Sequence, residues 1–480
     1  MSVLVIDVGT SGVRAAVVAP SGAVTVERRR SLLPDTPFPG LVEFDAAEMA
    51  DVSIDLARGV LAEAGPVEAV GIANQRASTV VWDPATGRPV APAIGWQDLR
   101  TVGECLALQA DGFRLAPNHS ATKLAAILDA VDPDRTQGLL FGTVDSWLAW
   151  VLTGGAAHVT DITNASVTGL MTPDATDWDD AVLDRLRIPR AALPEVVDSA
   201  GVVGAASVFD GAPPLAGIAG DQQASLIGQS CVRPGMAKIT FGTGAMLDLL
   251  VGEERPAFES RGDGGTFPLV AGRRAGRTWW GLEAIALAAG SNVEWLRDDL
   301  GIIERAEDSH EVAAACEDTD GVVFVPALLG LGTPQWDYGA RGTLLGVTRG
   351  TTRAHLVRAV LDGVAHLGAD LVDAASTDAG APIESLRVDG GMSANPTFVQ
   401  ALADACGRPI ELSPVLEATT IGAGFLAALG IGLLADEGEI ADLWRPRAVI
   451  EPARDLDRDR WRDAVERSLR WHPDLSGMSF

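Results

Sequence analysis

One polarity pattern occurs twice along the chain, about half its length apart. The apolar run Val3-Leu4-Val5-Ile6-Asp7 leads through Val8-Gly9-Thr10-Ser11-Gly12 into a second run, Val13-Arg14-Ala15-Ala16-Val17-Val18. In the same way Met236-Ala237-Lys238-Ile239-Thr240-Phe241 leads through Gly242-Thr243-Gly244 into Ala245-Met246-Leu247-Asp248-Leu249-Leu250-Val251. β-Branched and apolar residues favour strands, and glycine accepts the backbone angles of a tight turn, so each stretch reads as strand, turn, strand. Two similar halves facing each other across a cleft is the economical arrangement. The boundary is expected where Gly228, Pro234 and Gly235 interrupt the pattern, giving domains 1–230 and 231–480.

Between the hairpins the period lengthens. Val52, Leu56, Val60 and Leu61 recur at helical spacing, predicting a helix over 49–64, and the apolar run 67–73 predicts a buried strand ending at Asn74-Gln75-Arg76. Leu356, Val360, Val364, Leu367 and Leu371 give a later helix one apolar face, with Thr351 and Thr352 placed to cap it. Strands alternating with helices imply an α/β architecture. No low-complexity linker separates the halves, so they are expected to stay in contact around a cleft.

Composition narrows the partners. The chain has 480 residues, 47% of them hydrophobic, and 37 Lys+Arg against 65 Asp+Glu give a net charge of −28. A field of that sign repels phosphate backbones and anionic membranes, which argues against nucleic-acid and membrane partners. The longest apolar stretch, 421–435, carries four glycines and is too short to span a bilayer comfortably. The start of the sequence lacks the basic segment and apolar run of a secretion signal, and the four cysteines lie far apart. A cytoplasmic protein with reduced thiols is expected.

Several residues are candidates for chemistry. The turn at Thr10, Ser11 and Gly12, with Arg14 on the following strand, is either a backbone cradle for an anion or an ordinary glycine-rich hairpin. Two such turns, plus a third glycine pair in Asp389-Gly390-Gly391-Met392-Ser393-Ala394-Asn395, favour a phosphate or nucleotide ligand. Asp7 ends an apolar strand beside the first turn, where a carboxylate can hold Mg2+ through water. Asp221 follows the apolar run 215–218 and is placed to accept a proton from an attacking hydroxyl; the plainer alternative is a turn-forming or capping Asp. Arg76, Trp82, Trp96, Gln97 and Asp98 offer forked donors and indole faces, the mixture a small polyhydroxy ligand wants. The alternative is a core Trp beside a surface-paired Arg. The six histidines show no paired spacing, and Glu411 and Glu417 read as solvated turn charges.

These motifs resemble the FGGY family of carbohydrate kinases over nearly the whole chain, and most closely the glycerol-phosphorylating branch. The resemblance rests on 3–18, on Asn74-Gln75-Arg76, and on Ala93-Ile94-Gly95-Trp96-Gln97-Asp98-Leu99-Arg100-Thr101. It rests also on Gly220-Asp221-Gln222-Gln223, Thr240-Phe241-Gly242-Thr243-Gly244, Gly342-Thr343-Leu344-Leu345-Gly346-Val347, and Arg387-Val388-Asp389-Gly390-Gly391 with Asn395. It implies two actin-like, ribonuclease-H-like domains closing on a small polyol or sugar and MgATP, with the substrate on the side of 1–230 and the nucleotide on the side of 231–480. By the same resemblance Asp221 is the general base, and Arg76, Trp96 and Gln222 contact the polyol. Thr10, Ser11, Gly12, Arg14 and Thr243 meet the terminal phosphates. Gly290, Glu294, Gly391 and Asn395 lie around the nucleotide, with Glu294 standing where the branch often has Gln. A homo-oligomer, such as a dimer, is a further implication.

Three departures stand out. Ala77 occupies the place of a substrate-binding Glu, Pro117-Asn118-His119 lacks the substrate-binding Tyr that precedes Ser120, and Ala126 stands where a Trp is usual. Each unmade polar contact to a small triol is worth about 1–3 kcal/mol. The implied reaction is transfer of the γ-phosphate of ATP to a primary hydroxyl, with glycerol the leading acceptor and a pentitol or xylulose the alternative. An actin-like ATPase without a sugar substrate is the competing class, and the Arg76, Trp96 and Asp221 constellation disfavours it.

Overall fold

The computed structural model describes residues 1–415 and 417–478. The repeated hairpin seeds two mixed sheets of the same pattern. In the first, β1 (Val3–Gly9), β2 (Gly12–Val18) and β3 (Val24–Ser31) form an antiparallel meander, and β4 (Ala69–Asn74) runs parallel to β1. With β5 (Ala200–Ala205) and β6 (Pro214–Gly220) the strand order is β5-β6-β4-β1-β2-β3. The second sheet contains β7 (Met236–Phe241), β8 (Ala245–Gly252), β9 (Phe267–Arg274), β10 (Arg277–Ala286), β11 (Ser385–Asp389), β12 (Ile410–Leu412) and β13 (Ala448–Ile450). Its order is β9-β10-β8-β7-β11-β12-β13. From β10 to β13 the parallel and antiparallel pairings repeat those from β3 to β5, and β9 is an added edge.

Helices cover both sheets. The predicted helix forms as α1 (Ala46–Ala64), begun by Asp45, whose carboxylate accepts from the amides of Ala47 and Glu48. Its Met49, Val52 and Val60 pack on Leu4, Ile6 and Val8. After β6 comes α2 (Asp221–Gly228). In the second half α3 (Arg353–Ala379) starts at Thr352 with a capping box and lays Val357, Val360, Val364 and Leu371 against Ile239, Phe241 and Leu247. The helix after β12, α4 (Ala418–Gly430), takes up much of the apolar stretch over 421–435.

Of the two helices that follow the last parallel strands, α4 crosses to the other half and α2 packs on both, with Ala224 on the first sheet. In α4, Ile421, Phe425 and Leu426 cover the face of the first sheet made by Val3, Val5, Ala69, Ala73 and Ala219. In α2, Leu226 packs with Leu250 and Ala271 of the second sheet. The helices cross with their backbones in contact: a Cβ on Gly422 would lie 1.8 Å from the Ala224 carbonyl oxygen, and one on Gly228 would lie 1.8 Å from that of Ala418. Only hydrogen fits at either position. The crossing lies under the floor of the cleft, and α2 presents its first residue, Asp221, at the C-terminal ends of β4 and β6.

Candidate active site

Strand alternation sets the character of the cleft floor. On β7, Ala237, Ile239 and Phe241 face the core under α3, so Lys238 and Thr240 face the other way. The register places Lys238 beside Asp248 on β8, and Asp248 beside Glu283 on β10. Lys238 and Asp248 are fully buried and 2.8 Å apart. Glu283 reaches across to Arg76 at the end of β4, with Arg76 Nη2 at 2.6 Å from Glu283 Oε1. Arg76 Nε lies 3.5 Å from Asp221 Oδ1. Lys238, Asp248, Glu283, Arg76 and Asp221 thus form one line of charged groups across both halves, with the Asp248 and Glu283 carboxylates between the two cations.

Asp221 opens α2, where the unpaired amides of a helix N-terminus favour an anion. The Gln222 amide donates to Oδ1 at 2.8 Å. Burial raises the Asp221 pKa above the usual carboxylate range, and Arg76 opposes that rise. Both contacts fall on Oδ1, which leaves Oδ2 as the oxygen available to a hydroxyl proton. Gln222 Oε1 accepts from Lys238 Nζ at 2.6 Å. Because an ammonium only donates, the Gln222 amide nitrogen is left as the group offered to a ligand.

Trp96 is fixed at three points. Its indole Nε1 donates to Thr10 Oγ1 at 3.1 Å, its amide donates to Ser78 Oγ at 3.1 Å, and its carbonyl accepts from buried Lys123 Nζ at 2.9 Å. Burial lowers the Lys123 pKa to about 8. The acceptor-side residues Arg76, Asp221 and Gln222 therefore share one network, and Trp96 joins the Thr10 turn. Two neighbours that the sequence left open between polyol contact and a structural role take the structural one. Trp82 is fully buried against Trp147, with ring centroids 5.4 Å apart, and Asp98 accepts from the Val42 amide at 2.6 Å while pairing with Arg100. Ala77 is buried with φ +60°, and its carbonyl accepts from Ser120 Oγ at 2.9 Å.

The first turn is tied to the second half of the chain. Thr420 in α4 donates to Asp7 Oδ2 at 2.7 Å, and Arg14 pairs with Glu417 just before α4 and with Glu27 at 3.4 Å. Burial raises the Asp7 pKa to about 6, against the pull of Thr420 and Arg14. Ser11 is exposed at the turn, its carbonyl accepting from the Leu32 amide at 3.0 Å, and Gly12 pairs with Gly9 across the hairpin.

The second turn gathers the remaining candidates. Gly290 donates to the Gly242 carbonyl at 2.9 Å, and the Thr243 carbonyl accepts from the Ala289 amide at 2.8 Å, while Thr243 itself is exposed. Gly390, at φ +87°, sits so close to β7 that a Cβ would lie 2.3 Å from the Phe241 carbonyl oxygen. That approach sets exposed Gly391 beside the turn, with open space where its side chain would be. Glu294 is exposed on the helix that Gly290 begins. Asn395 serves as a helix cap, accepting from the Phe398 amide at 3.1 Å with Pro396 next to it, and donates to Ser309 Oγ at 2.9 Å. The result is a shallow cradle of side-chain-free backbone.

Among the described residues no three His, Cys, Asp or Glu side chains converge as a metal-ligand set. That fits Mg2+, which takes one or two protein carboxylates and completes its shell with water and phosphate oxygens. Asp7, half-buried with one oxygen engaged by Thr420, suits such a site. Sequence reasoning missed Lys238, Asp248, Glu283, Glu417 and Thr420. The signal for the first three was a charge at alternate positions of otherwise apolar strands. Glu417 and Glu411 are paired rather than solvated: Glu411 accepts from the Trp444 indole at 2.5 Å and lies 3.4 Å from Arg387.

The N-terminal domain of the FGGY family of carbohydrate kinases matches residues 2–228, and the family's C-terminal domain matches residues 237–431. Glycerol kinase from Aromatoleum aromaticum is 44% identical over 98% of this chain and 99% of its own length. Glycerol kinase from Trichlorobacter lovleyi is 45% identical at the same coverage. Among solved structures, Plasmodium falciparum glycerol kinase with ADP superposes with a TM-score of 0.90 at 30% identity, covering 98% of each chain. A xylulose kinase from Brucella ovis superposes with a TM-score of 0.87 at 25% identity, covering 99% of each.

Proposed function

This chain belongs to the FGGY family of carbohydrate kinases, and from that premise we propose that it transfers the γ-phosphate of ATP to a primary hydroxyl of glycerol, giving glycerol 3-phosphate. Its halves are the actin-like domains of that family. The observation that carries the reading is the held carboxylate of Asp221, with Arg76 beside one oxygen and the other open to the cleft.

The roles follow from the geometry. Arg76 and the Gln222 amide nitrogen donate to acceptor oxygens, and the Trp96 face packs on its C–H groups. Asp221 Oδ2 accepts the proton of the attacking hydroxyl as the new bond to phosphorus forms. The Thr10 and Thr243 turns, with Arg14, receive the terminal phosphates. The backbone around Gly290 and Gly391 takes the nucleoside, near Glu294 and Asn395. Asp7 would hold Mg2+, which neutralises charge on the transferring phosphoryl group. Positioning and electrostatics supply most of the acceleration in such a reaction.

The test is ADP release coupled to acceptor over glycerol, erythritol, xylitol, ribitol, xylulose and ribulose. Glycerol is expected to give the highest kcat/KM. Ala77 favours the second reading, a longer acceptor, since no carboxylate stands there to bind the middle hydroxyl of a triol; a pentitol or pentulose outrunning glycerol would establish it. Asp221→Asn should lower kcat by about a thousandfold or more while ATP affinity stays within threefold. ATP turnover that ignores every acceptor would exclude the kinase reading.

A further inference from the structure

We propose that Glu283 is a positioning residue for phosphoryl transfer: from the second half it holds Arg76 so that one guanidinium nitrogen faces the acceptor and one oxygen of Asp221 remains free. The inference rests on the kinase reading. A guanidinium presents its donors in a rigid planar fork. Here Nη2 is taken by Glu283 at 2.6 Å, and Nε lies toward Asp221 at 3.5 Å. Nη1 is buried and has no hydrogen-bond partner. A buried, unpaired charged donor is costly, so the site is built for an oxygen that arrives with the ligand.

Without Glu283 the nearest anion to Arg76 is Asp221. Guanidinium and carboxylate pair best side by side through two parallel hydrogen bonds, and such a pair would occupy both Asp221 oxygens. Glu283 prevents that collapse by taking one corner of the fork. It is itself held in place by β10, beside Asp248 and, through it, Lys238. Lys238 in turn fixes which end of the Gln222 amide faces the cleft. The second half, whose glycine turns serve the nucleotide, thereby also decides which atoms meet the acceptor.

The experiment is steady-state kinetics of Glu283→Gln and Glu283→Asp with glycerol and ATP varied separately. Glu283→Gln removes the charge and should lower kcat/KM for the acceptor by about ten- to a hundredfold, leaving the KM for ATP within twofold. Glu283→Asp keeps the charge with a shorter reach and should fall between variant and parent. Acceptor kinetics within twofold of the parent would overturn the proposal. So would an equal loss on the ATP side, or loss of ATP binding by both variants, because either makes Glu283 a general structural residue. Failure of the parent to phosphorylate any acceptor would sink the kinase reading, whereas full transfer by Glu283→Gln would sink this inference alone.

Discussion

The two glycine turns share a topology but not a condition. At the first, every candidate side chain but Ser11 already has a protein partner: Thr10 holds the Trp96 indole, Arg14 pairs with Glu27 and Glu417, and Asp7 accepts from Thr420. At the second, Thr243 is exposed, Gly242 and Gly391 leave open space where side chains would stand, and Gly244, Gly290 and Gly390 press against neighbouring backbone. The first turn works through side chains that must exchange partners when a ligand enters. The second works through shape. One fold repeated in one chain has thus acquired a turn of engaged side chains in one half and a turn of open backbone in the other, the division that the proposed function assigns to reacting groups and nucleotide.

The comparison can be broken most severely where the halves interlock. Gly422→Ala puts a methyl 1.8 Å from the Ala224 carbonyl, which is backbone and cannot rotate away. Alanine gains about 1 kcal/mol over glycine in an exposed helix interior, but overpacking costs about 1–3 kcal/mol or more, and here the clash should win by about 2 kcal/mol or more. A lowered urea midpoint checks this. Gly103→Ala, in a helix with nothing within 4 Å of the new methyl, should raise the midpoint slightly.

A smaller effect separates the turns themselves. Thr243→Ala should weaken kcat/KM for ATP by about tenfold and leave the acceptor KM unchanged if, as proposed, its hydroxyl serves the phosphates. Thr10→Val frees the Trp96 indole and should raise both KM values. If both variants behave alike, the asymmetry between the turns is wrong.

The mildest test concerns buried carboxylates. In the first half Asp145 rests on neutral donors: the hydroxyls of Thr143 and Thr160 and the Asp161 amide. In the second half Asp370 faces Arg458 at 2.6 Å. Burial, with Asp161 nearby, raises the Asp145 pKa to about 7. Between pH 4 and 7 the folded chain therefore holds that proton more tightly than the unfolded chain, and the contribution of Asp145 to stability falls as pH rises through the window. Asparagine does not titrate. The destabilisation caused by Asp145→Asn, read from urea midpoints, should shrink by about 1 kcal/mol between pH 6 and pH 7.

Local features were legible in the sequence. The hairpins, α1, β4 and the Thr352 cap form within a few residues of their expected positions, because each depends on neighbours in sequence. Asn395, expected from the resemblance to lie around the nucleotide, uses its side-chain oxygen to cap the helix that begins at Pro396. What stayed hidden depends on topology. Arg76 meets Glu283 207 positions away, and Thr420 meets Asp7 413 positions away. Composition around Glu417 suggests a solvated turn, yet the crossing of α4 onto the first sheet brings it to Arg14. Trp82 went to the core, fully buried against Trp147, which leaves no opening there for a ligand.

The crossing of α4 has a consequence for biosynthesis. The strands of the first sheet are all synthesised by residue 220, but the apolar face made by Val3, Val5, Ala69, Ala73 and Ala219 receives most of its cover from α4, which ends at Gly430. At about 5–20 residues per second the nascent chain carries that bare surface for roughly ten to forty seconds. Such a chain calls for a holding chaperone until translation is nearly finished.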